Sequence, residues 1–370
     1  MRLNTVGKAV AVVSAAATMT LTACGSDDNV GAAATRASGA AAQISCGGKS
    51  ELTAEGSTAQ QNAIAVFNRV WGQLCPGKNV SYNPTGSGAG REQFIAGHVD
   101  FAGSDAPLAP RQIDAAVKRC AGHPAWHLPL VFGPIALVYN LAGVNPLVVN
   151  ADVLAKIFSG AITTWNDPAL TALNPGVALP DAGITPVYRS DSSGTTDNFQ
   201  NYLAAAAPES WGKGGGTEFQ GGVGEGAQKS AGVVQAVRAS PGAIGYVEKG
   251  FADQARMPYA RIHVGGQTVQ LTEEAARTAI DGVTFAGKGD DLILDLSSLY
   301  TAKEPGAYPV MLATYEIVCS KGYDPGTAAA VKSFLMAAAN NGQSGLSQAG
   351  YVPLPNNFKR RLVAAINAIQ

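Results

Sequence analysis

Residues 127–141 read HLPLVFGPIALVYNL, and residues 310–318 read VMLATYEIV. The first is a continuous apolar run interrupted at Gly133-Pro134. Runs without polar alternation are what strands buried on both faces look like. This one predicts a strand crossing between two lobes, with the Gly-Pro step near the hinge. The second run, which ends at Cys319, predicts the return crossing. Two crossings around a middle segment make the first lobe discontinuous. Residues 46–130 with 305–370 are expected to form lobe I, and residues 131–304 lobe II. A hinged pair of lobes closes on a ligand in the cleft between them.

Upstream of the first crossing the chain alternates strands and helices. Glu51-Leu52-Thr53-Ala54 reads as a strand running into Gly56-Ser57-Thr58. Ala63, Val66, Phe67, Val70, Trp71 and Leu74 then recur at helical spacing over residues 59–74. Residues 79–83 form the next strand, followed by the turn Thr85-Gly86-Ser87-Gly88-Ala89-Gly90 and a helix expected over 91–96. A third strand at residues 100–103 ends at Ser104-Asp105, before a helix over 111–119. In the middle segment a strand at 184–188 runs into Arg189-Ser190-Asp191-Ser192-Ser193-Gly194-Thr195-Thr196, with a helix from 196 to 206. Residues 212–226 are Gly-rich and read as a loop, and residues 242–247 as a strand. The fold class is α/β, with mixed, mainly parallel sheets and right-handed crossovers. In such sheets ligands sit beyond the carboxyl ends of the strands, where these polar turns fall.

The turns point to an anion held without a basic cluster. Helix N-termini carry unpaired N–H groups and partial positive charge. Ser57, Thr58, Ser87, Ser193 and Thr195 add hydroxyl donors beside them. Neutral donors avoid the cost of burying several cations. Arg189 supplies one planar fork suited to a tetrahedral oxyanion, and Asp191, two residues on, orients it. Asp105 is the unusual member, because an ionised carboxylate only accepts hydrogen bonds. A phosphate that keeps a proton satisfies it, whereas sulfate leaves it unpaired. Each turn alone is equally a helix cap; their joint occurrence at successive strand-to-helix junctions makes a site.

Composition narrows the classes further. The 370 residues are 46% hydrophobic and 14% charged, with 44 Gly, a globular balance. Residues 1–23 hold Arg2 and Lys8 and no acid, so the chain from Cys24 onward has 24 basic and 27 acidic residues, a net −3. That balance gives no general surface for nucleic acid. Residues 1–23 read as a signal peptide, with a basic start and an apolar stretch too short to span a bilayer. Leu21-Thr22-Ala23-Cys24 resembles a bacterial lipobox, which implies cleavage before Cys24 and a lipid on its sulfur. Residues 24–45 read as a flexible tether. Four cysteines remain, and an even count in an exported chain points to two disulfides. Of the three pairings, Cys46–Cys75 with Cys120–Cys319 is favoured, because Cys46 precedes the first strand and Cys75 the second, at one sheet edge.

Catalysis fits the sequence poorly. Neither Ser87 nor Ser193 lies in a G-x-S-x-G elbow or has a nearby His to serve as base. The four His show no metal-ligand spacing, and no nucleotide-binding P-loop occurs. No metal or cofactor is expected. The alternatives are the same fold binding another oxyanion, a phosphoester hydrolase using a cleft serine, and a surface lipoprotein keeping a vestigial site.

Taken together, Gly56-Ser57-Thr58, residues 85–90, Gly103-Ser104-Asp105-Ala106-Pro107-Leu108, residues 189–196 and Pro241-Gly242-Ala243-Ile244-Gly245-Tyr246 resemble the PstS family, phosphate-binding lipoproteins of bacterial phosphate ABC transporters. The similarity runs over residues 50–365 and has an actinobacterial, mycobacterial cast. It implies a two-lobe periplasmic-binding fold of type II, one inorganic phosphate in the cleft, no catalysis, and delivery to permease subunits. It further implies a monomer anchored by lipid to the extracytoplasmic face of the cell membrane. By position, Ser57, Thr58, Ala59, Ser87 and Asp105 bind from lobe I, and Arg189, Asp191, Ser193, Gly194 and Thr195 from lobe II. Some relatives carry an aromatic residue where this chain has Ala59, whose backbone amide still offers a donor.

Overall fold

The computed structural model describes residues 44–301 and 304–370. The expected signal peptide, Cys24 and nearly all of the tether lie outside the described residues. The first βα units are β1 (Glu51–Gly56), α1 (Gln61–Leu74), β2 (Asn79–Asn83), α2 (Ser87–Ile95), β3 (Phe101–Ser104) and α3 (Pro110–Arg119). The crossing strand is β4 (Ala125–Tyr139). After it come β5 (Val148–Val149), α4 (Ala151–Phe158), α5 (Pro168–Leu173), β6 (Thr185–Arg189) and α6 (Gly194–Ala206). Next are β7 (Glu225–Ala227), α7 (Lys229–Ala239), β8 (Ala243–Glu248), α8 (Lys249–Gln254), β9 (Arg261–Val264) and β10 (Gln267–Val269). The chain continues through α9 (Glu273–Ile280), β11 (Thr284–Phe285), β12 (Leu294–Asp295) and α10 (Ser297–Tyr300). It closes with β13 (Met311–Cys319), α11 (Pro325–Asn340) and α12 (Asn356–Ala368).

Eight strands form one mixed sheet in the order β2-β1-β3-β13-β4-β8-β6-β7. β1 pairs parallel with β2 and β3, and β6 pairs parallel with β7 and β8. β4 lies between β13 and β8, so that the sheet has a first half ending at β13 and a second half beginning at β8. Its residues 125–134 pair with β13, and its residues 135–139 pair with β8, both antiparallel. The strand runs unbroken through Gly133-Pro134. Just before β13, the Val310 carbonyl accepts from the Ile135 amide at 2.8 Å. Among the described residues no helix is long and apolar enough to cross a membrane.

Two differences from the sequence reading matter for the site. The helix expected from residue 91 begins at Ser87, because Gly86 takes φ +110°, a conformation open to Gly, and turns the chain directly into α2. Ser87 therefore occupies the first helical turn. In addition, α7 occupies a stretch to which the sequence reading assigns no element, and its start faces the site. Below the site, Phe199 of α6 stacks on Tyr246 of β8 at 4.4 Å and meets Phe158 of α4 edge-on at 4.9 Å. Burying each such ring stabilises the fold by ~1.5–3 kcal/mol and fixes where α6 starts. The disulfides are Cys46–Cys75 and Cys120–Cys319, the favoured pairing, closing sequence separations of 29 and 199 residues.

Candidate oxyanion site

The carboxyl ends of β1, β3 and β6 and the starts of α2 and α6 meet at Asp105, which is 3% exposed. Asp105 Oδ1 accepts from Ser57 Oγ at 2.6 Å and from Thr314 Oγ1 at 2.6 Å. Its Oδ2 accepts from Ser87 Oγ at 3.2 Å, and its own amide donates to Ser87 Oγ at 3.1 Å. Burial pushes the Asp105 carboxyl above the usual range, and the hydroxyls of Ser57 and Thr314, the charge of Arg189 and the Ser87 hydroxyl pull it back only in part.

Arg189, at the end of β6, is buried and lies beside this group. Its Nε donates to Asp191 Oδ1 at 2.7 Å, and its Nη2 bonds Asp191 Oδ2. Asp191 also accepts from the Lys229 amide at the start of α7, at 2.9 Å. Burial raises the Asp191 carboxyl, but the hydrogen bond and charge of Arg189 outweigh it and hold the group below its ordinary value. Asp191 is thus held in its ionised form, and its two bonds fix Arg189 in orientation.

The two halves of the sheet are in direct contact here. A methyl carbon at Gly194 would lie 2.5 Å from Asp105 Cβ and 2.7 Å from Ser87 Oγ, so only Gly lets the start of α6 approach this closely. A methyl carbon at Gly86 would stand 2.8 Å from Asp191 Oδ2 and 3.7 Å from Arg189 Nη2. The Gly88 amide donates to the Ser192 carbonyl at 3.1 Å. Thr58 Oγ1 and Ser230 Oγ share a hydrogen bond of 2.8 Å. Ser193 caps α6 by accepting from the Thr196 amide at 3.2 Å, which leaves its hydroxyl proton to donate. Thr195 Oγ1 is buried without a hydrogen-bond partner. A buried orphan hydroxyl costs free energy unless something fills its place.

Every expected site residue falls in this region, although Ala59 takes a different part. Its amide donates to Ser57 Oγ at 3.1 Å and its carbonyl accepts from Tyr351 at 2.6 Å, so it orients Ser57. Four polar neighbours escaped the sequence reading. They are Thr314, Ser230, Asn198 and Arg91, whose Nη1 donates to Ser104 Oγ at 3.0 Å. Thr314, Asn198 and Arg91 lie inside a strand or a helix, and Ser230 lies at the β7–α7 junction, where the sequence reading assigns no helix.

Residues 27–338 match the family model of the PBP superfamily domain. The phosphate-binding protein PstS 3 of Mycobacterium tuberculosis is 50% identical, covering 100% of both chains. PstS 2 of the same organism is 47% identical, again over 100% of both chains. The phosphate-binding protein PstS of Xylella fastidiosa is 33% identical, over 78% of this chain and 77% of that one. A high-affinity periplasmic phosphate-binding protein, solved bound with phosphate, matches the coordinates with a TM-score of 0.69 at 24% identity, over 85% of this chain and 93% of that chain. That likeness shows the type II periplasmic-binding fold. With full-length identity of 50% on top of the fold, this chain belongs to the PstS family of phosphate-binding proteins.

Proposed function

We propose that the protein captures inorganic phosphate outside the cytoplasm and delivers it to the membrane permease of an ABC transporter, without chemical change to the ion. One observation carries the reading: a buried acceptor, Asp105, lies among a fixed guanidinium, Arg189, and the starts of α2 and α6. A cation fork and helix dipoles attract the anion, and the carboxylate tolerates it only where it carries hydrogen. Ser57, Thr58, Ser87 and Asp105 bind from lobe I, with Ala59 holding Ser57. Arg189, Asp191, Ser193, Gly194 and Thr195 bind from lobe II, Asp191 by orienting Arg189. The orphan hydroxyl of Thr195 is matched by a phosphate oxygen. Lobe I comprises residues 46–130 and 305–370, and lobe II residues 131–304. Cys24 carries the lipid that tethers a monomer to the outer face of the cell membrane.

Calorimetric titration with phosphate and with sulfate tests this. Tight phosphate binding with sulfate rejected is expected, and equal affinity for the two would overturn the role of Asp105. A mass measurement of protein from its native membrane is expected to show the lipid; its absence would remove the anchor from the reading.

A further inference from the structure

We propose that Thr314, on the strand returning between β3 and β4, is a positioning residue that sets anion selectivity by keeping Asp105 an acceptor. The inference rests on the phosphate reading above and deepens it. Thr314 is fully buried, and alternation along β13 puts it on the same face as Glu316. β13 runs antiparallel to β3 with Tyr315 opposite Ser104, which brings Thr314 level with Asp105.

The hydrogen-bond inventory gives the mechanism. Asp105 Oδ1 already receives two short bonds, from Ser57 and Thr314, both at 2.6 Å. Oδ2 receives only the longer one from Ser87, at 3.2 Å. Acceptor capacity for a ligand's proton therefore remains on Oδ2. Thr314 bonds Oδ1 and leaves Oδ2 to the ligand; it stabilises the anionic form of the carboxylate against its burial. A protonated Asp105 would instead be a donor, and a donor welcomes sulfate. Loss of the Thr314 hydroxyl thus brings protonation, and with it loss of discrimination, to higher pH.

Other charged groups face Asp105. Arg189 comes from the end of β6, Arg91 from α2, Asp197 from α6 and Glu316 from β13. The phenols of Tyr82, Tyr315 and Tyr351 also lie within its field. Burial holds the three phenols above their ordinary value and pushes Glu316 up to about 8, so these four stay neutral in mildly acidic buffer. Asp197 and both guanidiniums are common to wild type and variant, so the difference between the two isolates Thr314.

The test is competition of sulfate against phosphate at several pH values between about 5 and 7.5, using wild type, Thr314→Val and Thr314→Ser. In Thr314→Val the phosphate-over-sulfate ratio is expected to fall about tenfold at the acid end, the factor of one lost bond to a charged group, and to recover as pH rises. Thr314→Ser keeps the hydroxyl and is expected to follow wild type. An unchanged ratio at every pH in Thr314→Val overturns the inference while leaving the phosphate reading intact. A wild type that binds the two anions equally overturns the role of Asp105 and with it the inference, and one that binds no phosphate overturns the phosphate reading itself. Should the valine variant not fold, Thr314→Ala carries the same expectation.

Discussion

Asn198 Nδ2 donates to the backbone carbonyl of Asp105 at 2.7 Å and to that of Gly194 at 2.8 Å. One side chain on α6 therefore ties the end of β3 to the start of its own helix, across the meeting of the two halves. Tyr300 in turn donates to Asn198 Oδ1 at 2.7 Å, which fixes the amide's orientation. Asn198 bonds two backbone carbonyls and leaves the side chains of Asp105 and Arg189 untouched, so this bridge is expected to govern residence time more than selectivity.

Asn198→Ala is accordingly expected to speed phosphate release by about tenfold, the cost of one or two buried hydrogen bonds, with the phosphate-to-sulfate ratio unchanged. Stopped-flow release measured with a phosphate trap reads the rate. A wild-type rate would show that closure is held elsewhere, at Thr58–Ser230 for example.

Arg189→Lys keeps the charge but loses the fork that holds Asp191 through Nε and Nη2. Phosphate affinity is expected to fall roughly 10- to 100-fold, since bonds of this kind to charged groups contribute ~1.5–3 kcal/mol. Calorimetry checks it; undiminished binding would mean that the guanidinium does not contact the anion.

Asp105→Asn replaces a pure acceptor by a group that also donates. Phosphate affinity is expected to drop modestly, while discrimination against sulfate falls by ~100-fold or more. The two constants are measured on the same preparation. If sulfate stays fully rejected by the variant, selectivity resides in another part of the pocket.

Glu316 is fully buried beneath the site, with Oε2 at 3.4 Å from Gln60 Nε2 and Oε1 unpartnered. Burial chiefly, opposed weakly by the Gln60 bond, pushes its carboxyl up to about 8. The folded chain thus keeps a proton that the unfolded chain releases near pH 4–5, so stability is lost as pH rises from there through about 8. Glu316→Gln removes that dependence. Relative to wild type its unfolding free energy is expected to gain a few kcal/mol between roughly pH 5 and 8. Thermal melts that stay parallel across this range would count against a buried, protonated Glu316.

Much of this architecture was readable because its signals are local. A strand repeats every two residues and a helix every 3.6, so β1, β2, β6 and the apolar β4 declare themselves within short windows. The turn glycines and hydroxyls that close those windows mark the site, since a helix start beyond a strand end is where backbone amides stand free. Where the local signal misleads, the reason is also local. Three glycines at 86, 88 and 90 argue against helix by propensity, yet α2 begins among them, at Ser87, because its start packs under residue 192 of the opposite half.

The sequence by itself determined an α/β chain with two disulfides and a set of small polar turns at strand-to-helix junctions. Tertiary structure alone decided which groups share the pocket. Thr314 reaches Asp105 across 209 residues, Ser230 reaches Thr58 across 172, and Asn198 reaches Asp105 across 93. No periodicity encodes such contacts, because they arise when sheet order places β13 beside β3 and the chain packs α6 and α7 against the ends of β1 and β3.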